Sequence, residues 1–77
     1  MARKNEVAAG IDTLIGNKIH ELRISMGLSR QQLAGIVGVT HQQFQKYEYG
    51  TNRISAGRLV AIANALQKPP SYFFDDI

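Results

Sequence analysis

Cysteine is absent from this chain of 77 residues, and so are long apolar runs. Without thiols the chain can form neither disulfides nor thiolate metal sites, so its fold depends on packing. No segment approaches the roughly 20 apolar residues that a membrane-spanning helix needs. The first ten residues also lack the apolar run of a secretory signal. We therefore expect one small cytoplasmic domain with no membrane partner.

Groups that carry out catalysis are scarce as well. The two histidines, His20 and His41, lie in separate predicted helices, and no cysteine is present to complete a set of metal ligands. The chain has no glycine-rich phosphate loop and no nucleophile motif. Asp75 and Asp76 are adjacent near the C-terminal end, where solvation explains them better than a catalytic pair. We predict no enzyme activity, no catalytic residue, no metal and no cofactor.

Acidic residues are few between residues 28 and 58. This span holds four basic residues and a single acidic one, Glu48, whereas the rest of the chain is balanced. The local excess equals the net charge of +3 for the whole chain. A positive excess concentrated in one span favours an anionic partner.

An apolar stripe predicts the first helix, from Asp12 to Met26. Its members recur with i, i+4 and i+7 spacing and are Ile11, Ile15, Ile19, Leu22 and Met26. Residues 1–10 show no strong period, so we interpret them as a flexible N-terminal arm. Residues 11–77 form the predicted domain.

Capping residues and glycines predict three further helices. The starts are marked by capping residues, namely Ser29 with Gln32, Thr40 with Gln43, and Ser55. Left-handed glycines are expected to end helical runs at Gly27, Gly38 and Gly50. Pro69-Pro70 should stop the fourth helix, and Ser71 should cap a last short turn through Phe74. The predicted fold class is all-α, a compact bundle of four helices plus a short C-terminal helical turn.

The helix that begins after Thr40 has an unusual polar face. Phe44 and Tyr47, with Glu48 beside them, set its inner side, and Leu33, Ala34, Ile36 and Val37 set that of the preceding helix. The outer side carries amides, an imidazole and an ammonium group, which hydrogen-bond to base edges and phosphates. The alternative is solvated surface, yet surface helices more often use charged residues. Two such helices joined by a glycine-containing turn fit a helix-turn-helix DNA reader.

The span from Ile15 to Phe74 resembles the Cro/lambda-repressor-type helix-turn-helix family, also called the XRE family. The resemblance is carried by Ile19-His20-Glu21-Leu22-Arg23, Gly27-Leu28-Ser29, Gln32-Leu33-Ala34, Val37-Gly38-Val39-Thr40, Tyr47-Glu48-Tyr49-Gly50, and Leu59 through Leu66. Ile54 departs from it where the family often has proline, and Arg30 departs where glutamine is frequent. The resemblance implies a lambda-repressor-like domain of a sequence-specific transcriptional regulator.

The resemblance also implies roles for individual residues. In the family the helix after Thr40 lies in the major groove, which nominates base contacts by His41, Gln42, Gln45 and Lys46. Contacts to the DNA backbone are implied for Arg30, Gln31, Thr40, Asn52 and Arg53. Arg30 and Gln31 would reinforce the free N–H groups of a helix N-terminus, which attract phosphate. A partly buried ion pair between Arg23 and Glu48 is implied as part of the scaffold.

The expected partner is double-stranded DNA, bound by a repressor-like homodimer in the nucleoid. The family usually binds as a symmetric dimer, so the operator would be an inverted repeat. The aromatic C-terminal segment, residues 71–77, could fill the core, form a dimer seam or bind another protein. We favour a combination of core and seam, formed by Phe73, Phe74 and Ile77. A further domain or partner protein is also considered. The alternative function is a protein-interaction module of the same fold, of the antitoxin or bridging-factor type, with DNA binding secondary.

Overall fold

A computed structural model describes residues 4–75, with side chains from Val7 onward. These residues form four α-helices and one short 3₁₀-helix. The bounds are α1 Lys4–Ser25, α2 Arg30–Val37, α3 His41–Tyr49, α4 Ala56–Ala65 and the 3₁₀-helix Pro70–Phe74. No strand occurs in this part of the chain, which confirms the all-α prediction.

The first helix is longer than the sequence indicated. It begins at Lys4 rather than Asp12, so the interpretation of residues 1–10 as an arm is corrected for residues 4–10, which are helical. Val7 is exposed there, as are Ala9 and Gly10, because these turns have no core to pack against and therefore show no apolar period. A helix that has already formed extends readily through alanines. Residues 1–3 lie outside the described residues, and the domain boundary at residue 11 stays a prediction.

Short polar side chains begin the next three helices, as predicted. The hydroxyl of Ser29 accepts the N–H of Gln32, and the Gln32 side chain accepts the N–H of Ser29 in return. Thr40 and Ser55 each accept the N–H of the residue three positions later. Each cap stabilises its helix by about 1 kcal/mol. The positions of α2, α3 and α4 along the chain thus follow from local hydrogen bonding.

The helix ends were predicted in part. Gly38 and Gly50 end α2 and α3 with φ of 81° and 73°, a left-handed conformation that glycine adopts without a steric penalty. The end of α4 comes before the proline pair, and Gln67 takes a φ of 60° there. Pro69-Pro70 instead begins the 3₁₀-helix. The predicted cap by Ser71 is wrong, because the N-cap position is held by Pro69, two residues earlier, and has no side-chain hydrogen bond.

All five elements contribute to one core. Its largest fully buried side chains are Ile19, Leu33, Phe44, Ile62, Leu66 and Phe73. Burial of each contributes roughly 1.5–3 kcal/mol. Ile36 is an exception to the predicted inner face of α2, since it is 63 % exposed. Its helical position lies about 100° away from the centre of the buried face.

Two glycines let α1 pass close to the end of α3. A Cβ on Gly16 would lie 2.4 Å from the carbonyl oxygen of Tyr47 and 2.6 Å from that of Glu48. A Cβ on Gly50 would lie 2.7 Å from Cα of Thr13. The two backbones therefore touch, and this crossing fixes the direction of α3 relative to α1. Local sequence gives no sign of this role for Gly16, because the residues that it contacts are about thirty positions away along the chain.

The turn between α2 and α3 is supported by α4. A guanidinium nitrogen of Arg58 donates to the carbonyl oxygen of Val37 in the last turn of α2. That carbonyl has no partner within its own helix and lies at the negative end of the helix dipole. The turn at Gly38 is therefore supported from α4, and α2 and α3 keep a defined angle.

Candidate nucleic-acid interface

The helix α3 turns its polar side toward solvent. Phe44 is fully buried, and Tyr47 and Glu48 are 7 % and 2 % exposed. Three of the four predicted base-contacting residues, His41, Gln42 and Lys46, are exposed, and the fourth, Gln45, is half-buried. An imidazole, an amide and an ammonium group are thus free to meet the edges of bases.

The N-terminal end of α2 carries a cation and no acidic residue of its own. Arg30 occupies its first position, and no acidic residue lies in its first turn. The N-terminus of a helix already carries a partial positive charge, which disfavours a cation and attracts an anion. Gln31 is exposed beside it, with an amide that can donate to an anion. This end of α2 is suited to a phosphate.

A buried carboxylate joins α1 and α2 to the end of α3. Glu48 accepts from Nε of Arg23 at 2.6 Å and from Nε of Arg30 at 2.7 Å. Nδ1 of His20 lies 3.1 Å from the same carboxylate. Arg23 also donates to the carbonyl oxygen of Leu28 at 2.7 Å. The structure therefore contains the ion pair that the resemblance implied and adds two residues that sequence analysis did not place there.

The charges of this cluster do not cancel. Burial alone raises the pKa of Glu48, but hydrogen bonds from Arg23, Arg30 and His20 outweigh it and hold the pKa below its ordinary value. The hydrogen bond to Glu48 is the main cause of a raised pKa for Arg30. Two guanidinium groups thus share one carboxylate. The positive excess lies beside the N-terminus of α2, where it adds to the helix dipole.

The loop after α3 contributes further polar groups. Arg53 forms an ion pair with Asp12 through Nε, at 3.3 Å, and its side chain is 68 % exposed. Asn52 is half-buried beside it. Thr40 caps α3 with its hydroxyl oxygen, so capping is its established role in the structure. The predicted backbone-contacting residues thus lie at the N-terminus of α2, in the loop after α3 and, for Thr40, in the turn before α3.

A cation–π contact links α2 with the exposed side of α3. Cζ of Arg30 lies 5.4 Å from the centre of the Tyr49 ring. Tyr49 itself is 57 % exposed, on the last turn of α3. The predicted backbone-contacting residue of α2 is therefore held next to the helix that carries the predicted base contacts.

In the aromatic C-terminal segment, one phenylalanine is buried in the core and the other lies at the surface. Phe73 is fully buried, so its assignment to a dimer seam is wrong: it fills the core. Phe74 is 47 % exposed and borders an apolar groove of about 360 Å³. Other walls of this groove come from Ile15, Ile54, Leu59 and Val60. Ile77 lies outside the described residues.

The described part of the chain holds neither a cluster of metal ligands nor a membrane-spanning helix. Between residues 4 and 75, no three potential metal ligands lie close enough together to hold an ion. Within the same range, no helix combines the length and apolar character that crossing a membrane requires.

Comparison with known proteins gives relatives of one kind. An HTH-type transcriptional regulator of Rickettsia conorii is 57 % identical over all 77 residues, which make up 62 % of its length. A regulator of the same description from Rickettsia prowazekii is also 57 % identical over the whole chain, which covers 59 % of it. The chain thus spans about three fifths of the length of these relatives.

Solved structures share the fold. The restriction-modification controller protein C.AhdI from Aeromonas hydrophila is 28 % identical, with a TM-score of 0.78 over 82 % of this chain and 96 % of its own. The clp gene regulator ClgR from Corynebacterium glutamicum has a TM-score of 0.81 over 83 % of this chain and 68 % of its own. At 19 % identity, ClgR supports the fold alone.

The family match covers the same segment of the chain as the candidate interface. The helix-turn-helix family matches residues 19–73, which include α2, the turn at Gly38 and α3. This match covers more than half of the chain and confirms the resemblance seen in the sequence. The chain belongs to the helix-turn-helix family of the Cro/lambda-repressor type.

Proposed function

We propose that the chain is a sequence-specific DNA-binding domain of a transcriptional regulator and that α3 enters the major groove of double-stranded DNA. The observation that carries this proposal is the exposed polar side of α3 on an otherwise buried helix. Gln42 can pair through two hydrogen bonds with adenine N6 and N7, and Lys46 can donate to guanine O6 and N7. Each good pair discriminates between bases by about 1–3 kcal/mol. His41 and Gln45 complete the proposed base-contacting set.

The DNA backbone is held on both sides of α3 in this proposal. The N-terminus of α2, with Arg30 and Gln31, binds one phosphate, since its first turn holds no acidic residue and Glu48 is shared between Arg30 and Arg23. Asn52 and Arg53 bind the backbone from the loop after α3, and Thr40 adds a contact secondary to its cap. Such contacts set the register of the protein without reading sequence.

The regulator acts as a repressor-like homodimer in our proposal. The groove beside Phe74 and Val60 is apolar and open, and these two side chains are 47 % and 44 % exposed. A second copy that covers this surface would bury the apolar area and relate two α3 helices by a two-fold axis. The two helices would then read half-sites of an inverted repeat about 34–36 Å apart. The revised seam is therefore Phe74 with Val60, without Phe73.

A protein-interaction module is the second candidate, because the same groove could accept a different protein. In either case we propose a cytoplasmic protein without catalytic activity, in the nucleoid if DNA is its partner. The relatives are longer than this chain, so a further domain is compatible with the proposal.

Salt dependence of DNA binding separates the two candidates. If each subunit neutralises about three phosphates, a dimer neutralises about six, and log K should fall against log salt with a slope near −5. Arg53→Gln should make the slope shallower by about 2 for the dimer, whereas Asn64→Ala, an exposed change on α4, should leave it unchanged. Weak binding without an ordered slope would favour the interaction module, and a persistent monomer by light scattering with DNA present would contradict the homodimer.

A further inference from the structure

The guanidinium group of Arg30 is held by two residues of α3. Its Nε donates to Oε1 of Glu48 at 2.7 Å, and its Cζ lies 5.4 Å from the centre of the Tyr49 ring. The Arg30 side chain is 26 % exposed and is therefore only partly open to solvent. An arginine at the end of a helix is ordinarily flexible, so two contacts from another helix restrict its orientation.

These contacts do not fully neutralise the positive charge of Arg30. Glu48 also accepts from Arg23, which is 5 % exposed and has no access to an anion from solvent. One carboxylate is therefore divided between two guanidinium groups, and only Arg30 of the two reaches the surface. The N-terminus of α2 adds positive charge at the same place. The excess can be neutralised by an anion that approaches from outside.

Tyr49 reaches Arg30 with its ring and its hydroxyl group, and neither neutralises the positive charge of the guanidinium group. The planar guanidinium group carries its N–H donors in its plane, so an aromatic ring can support its face without occupying them. Nε is directed to Glu48, and the Nη groups form the remaining edge. A second carboxylate in place of the ring would instead compete with a phosphate for that edge. The aromatic ring therefore orients the cation and preserves its charge.

We propose that Tyr49 is a positioning residue for DNA binding: its ring holds the guanidinium group of Arg30 so that the Nη edge meets a backbone phosphate. This inference rests on the proposed function and adds a residue outside the contacts assigned above. Tyr49 acts through Arg30, and we assign this effect to its ring, whose removal should therefore cost more than loss of the hydroxyl group alone. The same residue therefore gives two distinct variants, one that keeps the ring and one that removes it.

A double-mutant cycle on the selected operator tests the proposal. Tyr49→Phe keeps the ring and should bind within about twofold of the wild type, whereas Tyr49→Leu should lose about threefold per subunit, or about tenfold for a dimer. In an Arg30→Gln background, Tyr49→Leu should cause no further loss, because the residue that it positions is gone. The melting temperature of Tyr49→Leu should match that of the wild type, since the ring is mostly exposed.

A spectroscopic readout follows the contact without DNA. The ring current of Tyr49 should shift the NMR signals of the Arg30 side chain in the wild type and in Tyr49→Phe, and Tyr49→Leu should abolish the shift. Wild-type affinity for Tyr49→Leu would overturn the inference, as would equal losses for the Phe and Leu variants or a full Leu effect in the Arg30→Gln background. No DNA binding by the wild type would overturn the proposed function as well, and that result is distinct from the other three.

Discussion

Glu48 shows what a single residue contributes to this domain. It is 2 % exposed, and it accepts hydrogen bonds from α1 and from the first residue of α2. Its carboxylate thus holds the last turn of α3 against both helices. A buried ion pair of this kind adds little stability compared with apolar packing, but loss of one partner leaves the other charge buried.

Removal of the Glu48 carboxylate should destabilise the fold strongly. We expect Glu48→Ala to lower the free energy of unfolding by about 3–5 kcal/mol, because Arg23 is left buried without a counter-charge. A domain of this size loses about 4–8 °C in melting temperature for each kcal/mol, so thermal denaturation by circular dichroism will detect the change. Glu21→Ala, which removes an exposed acid on α1, is the control and should stay close to the wild type. Equal melting temperatures for the two variants would refute a role for Glu48 in the scaffold.

The stability of the domain should fall in acid because of the same carboxylate. The pKa of Glu48 in the fold lies below its ordinary value of 4.5, so the folded state binds its proton less readily than the unfolded chain does. Its contribution to stability is therefore complete above pH 4.5 and is lost as the pH falls through the lowered pKa. Urea unfolding between pH 7 and about 3 should show a shallower loss in Glu48→Gln than in the wild type. Parallel curves would mean that other carboxylates carry the acid sensitivity.

At the scale of elements, the crossing of α1 and α3 decides where α3 lies. Gly16 permits backbone contact at this crossing, since any Cβ would overlap the carbonyl oxygens of Tyr47 and Glu48. The clash is with backbone atoms, which cannot rotate away as a side chain can. A larger residue must therefore move one helix relative to the other.

A pair of glycine substitutions isolates this effect. Gly16→Ala should lower the free energy of unfolding by about 1–3 kcal/mol, because the added methyl group overpacks the crossing. Gly35→Ala is the matched control in α2, where a Cβ meets nothing within 4 Å, and it should stabilise the helix by about 0.5–1 kcal/mol. Denaturant unfolding measures both. An increase in the free energy of unfolding for both variants would show that the crossing tolerates a side chain.

Sequence predicted those features of the elements that depend on neighbours along the chain. The caps at Ser29, Thr40 and Ser55 are local hydrogen bonds, so the starts of α2, α3 and α4 followed from short motifs. The start of α1 at Lys4 did not, because its first turns are exposed and have no apolar period. Which of two adjacent aromatics, Phe73 or Phe74, enters the core depends on the 3₁₀-helix, which has no such pattern.

The candidate site was predictable to a similar degree. The exposed side of α3 follows from helical periodicity once its inner side is known. The cluster around Glu48 combines residues from three helices, so spacing along the chain gave no sign of His20 and Arg30 as its partners. The contact between Arg30 and Tyr49 has the same origin, since it depends on the angle between α2 and α3.

At the scale of the whole molecule, its basic and apolar surfaces have separate roles in our proposal. The positive excess lies at the N-terminus of α2 and in the span through the loop after α3, where the proposed phosphate contacts are. The apolar groove beside Phe74 lies between α1, α4, the 3₁₀-helix and the loop after α3, whose Asn52 and Arg53 form its polar edge. DNA meets the basic surface and a second copy meets the groove in this proposal, and the two surfaces adjoin at Asn52 and Arg53. A dimer can then present two α3 helices to one operator.

Selection of bound sites from a random DNA pool tests the central claim, that the exposed side of α3 reads bases. The wild type should enrich an inverted repeat whose half-sites are one helical turn apart. Gln42→Ala should relax the preference at one base position in each half-site, whereas Asn64→Ala, which removes an exposed amide on α4, should select the wild-type motif. An unchanged motif for Gln42→Ala, or no enriched motif for the wild type, would contradict the account.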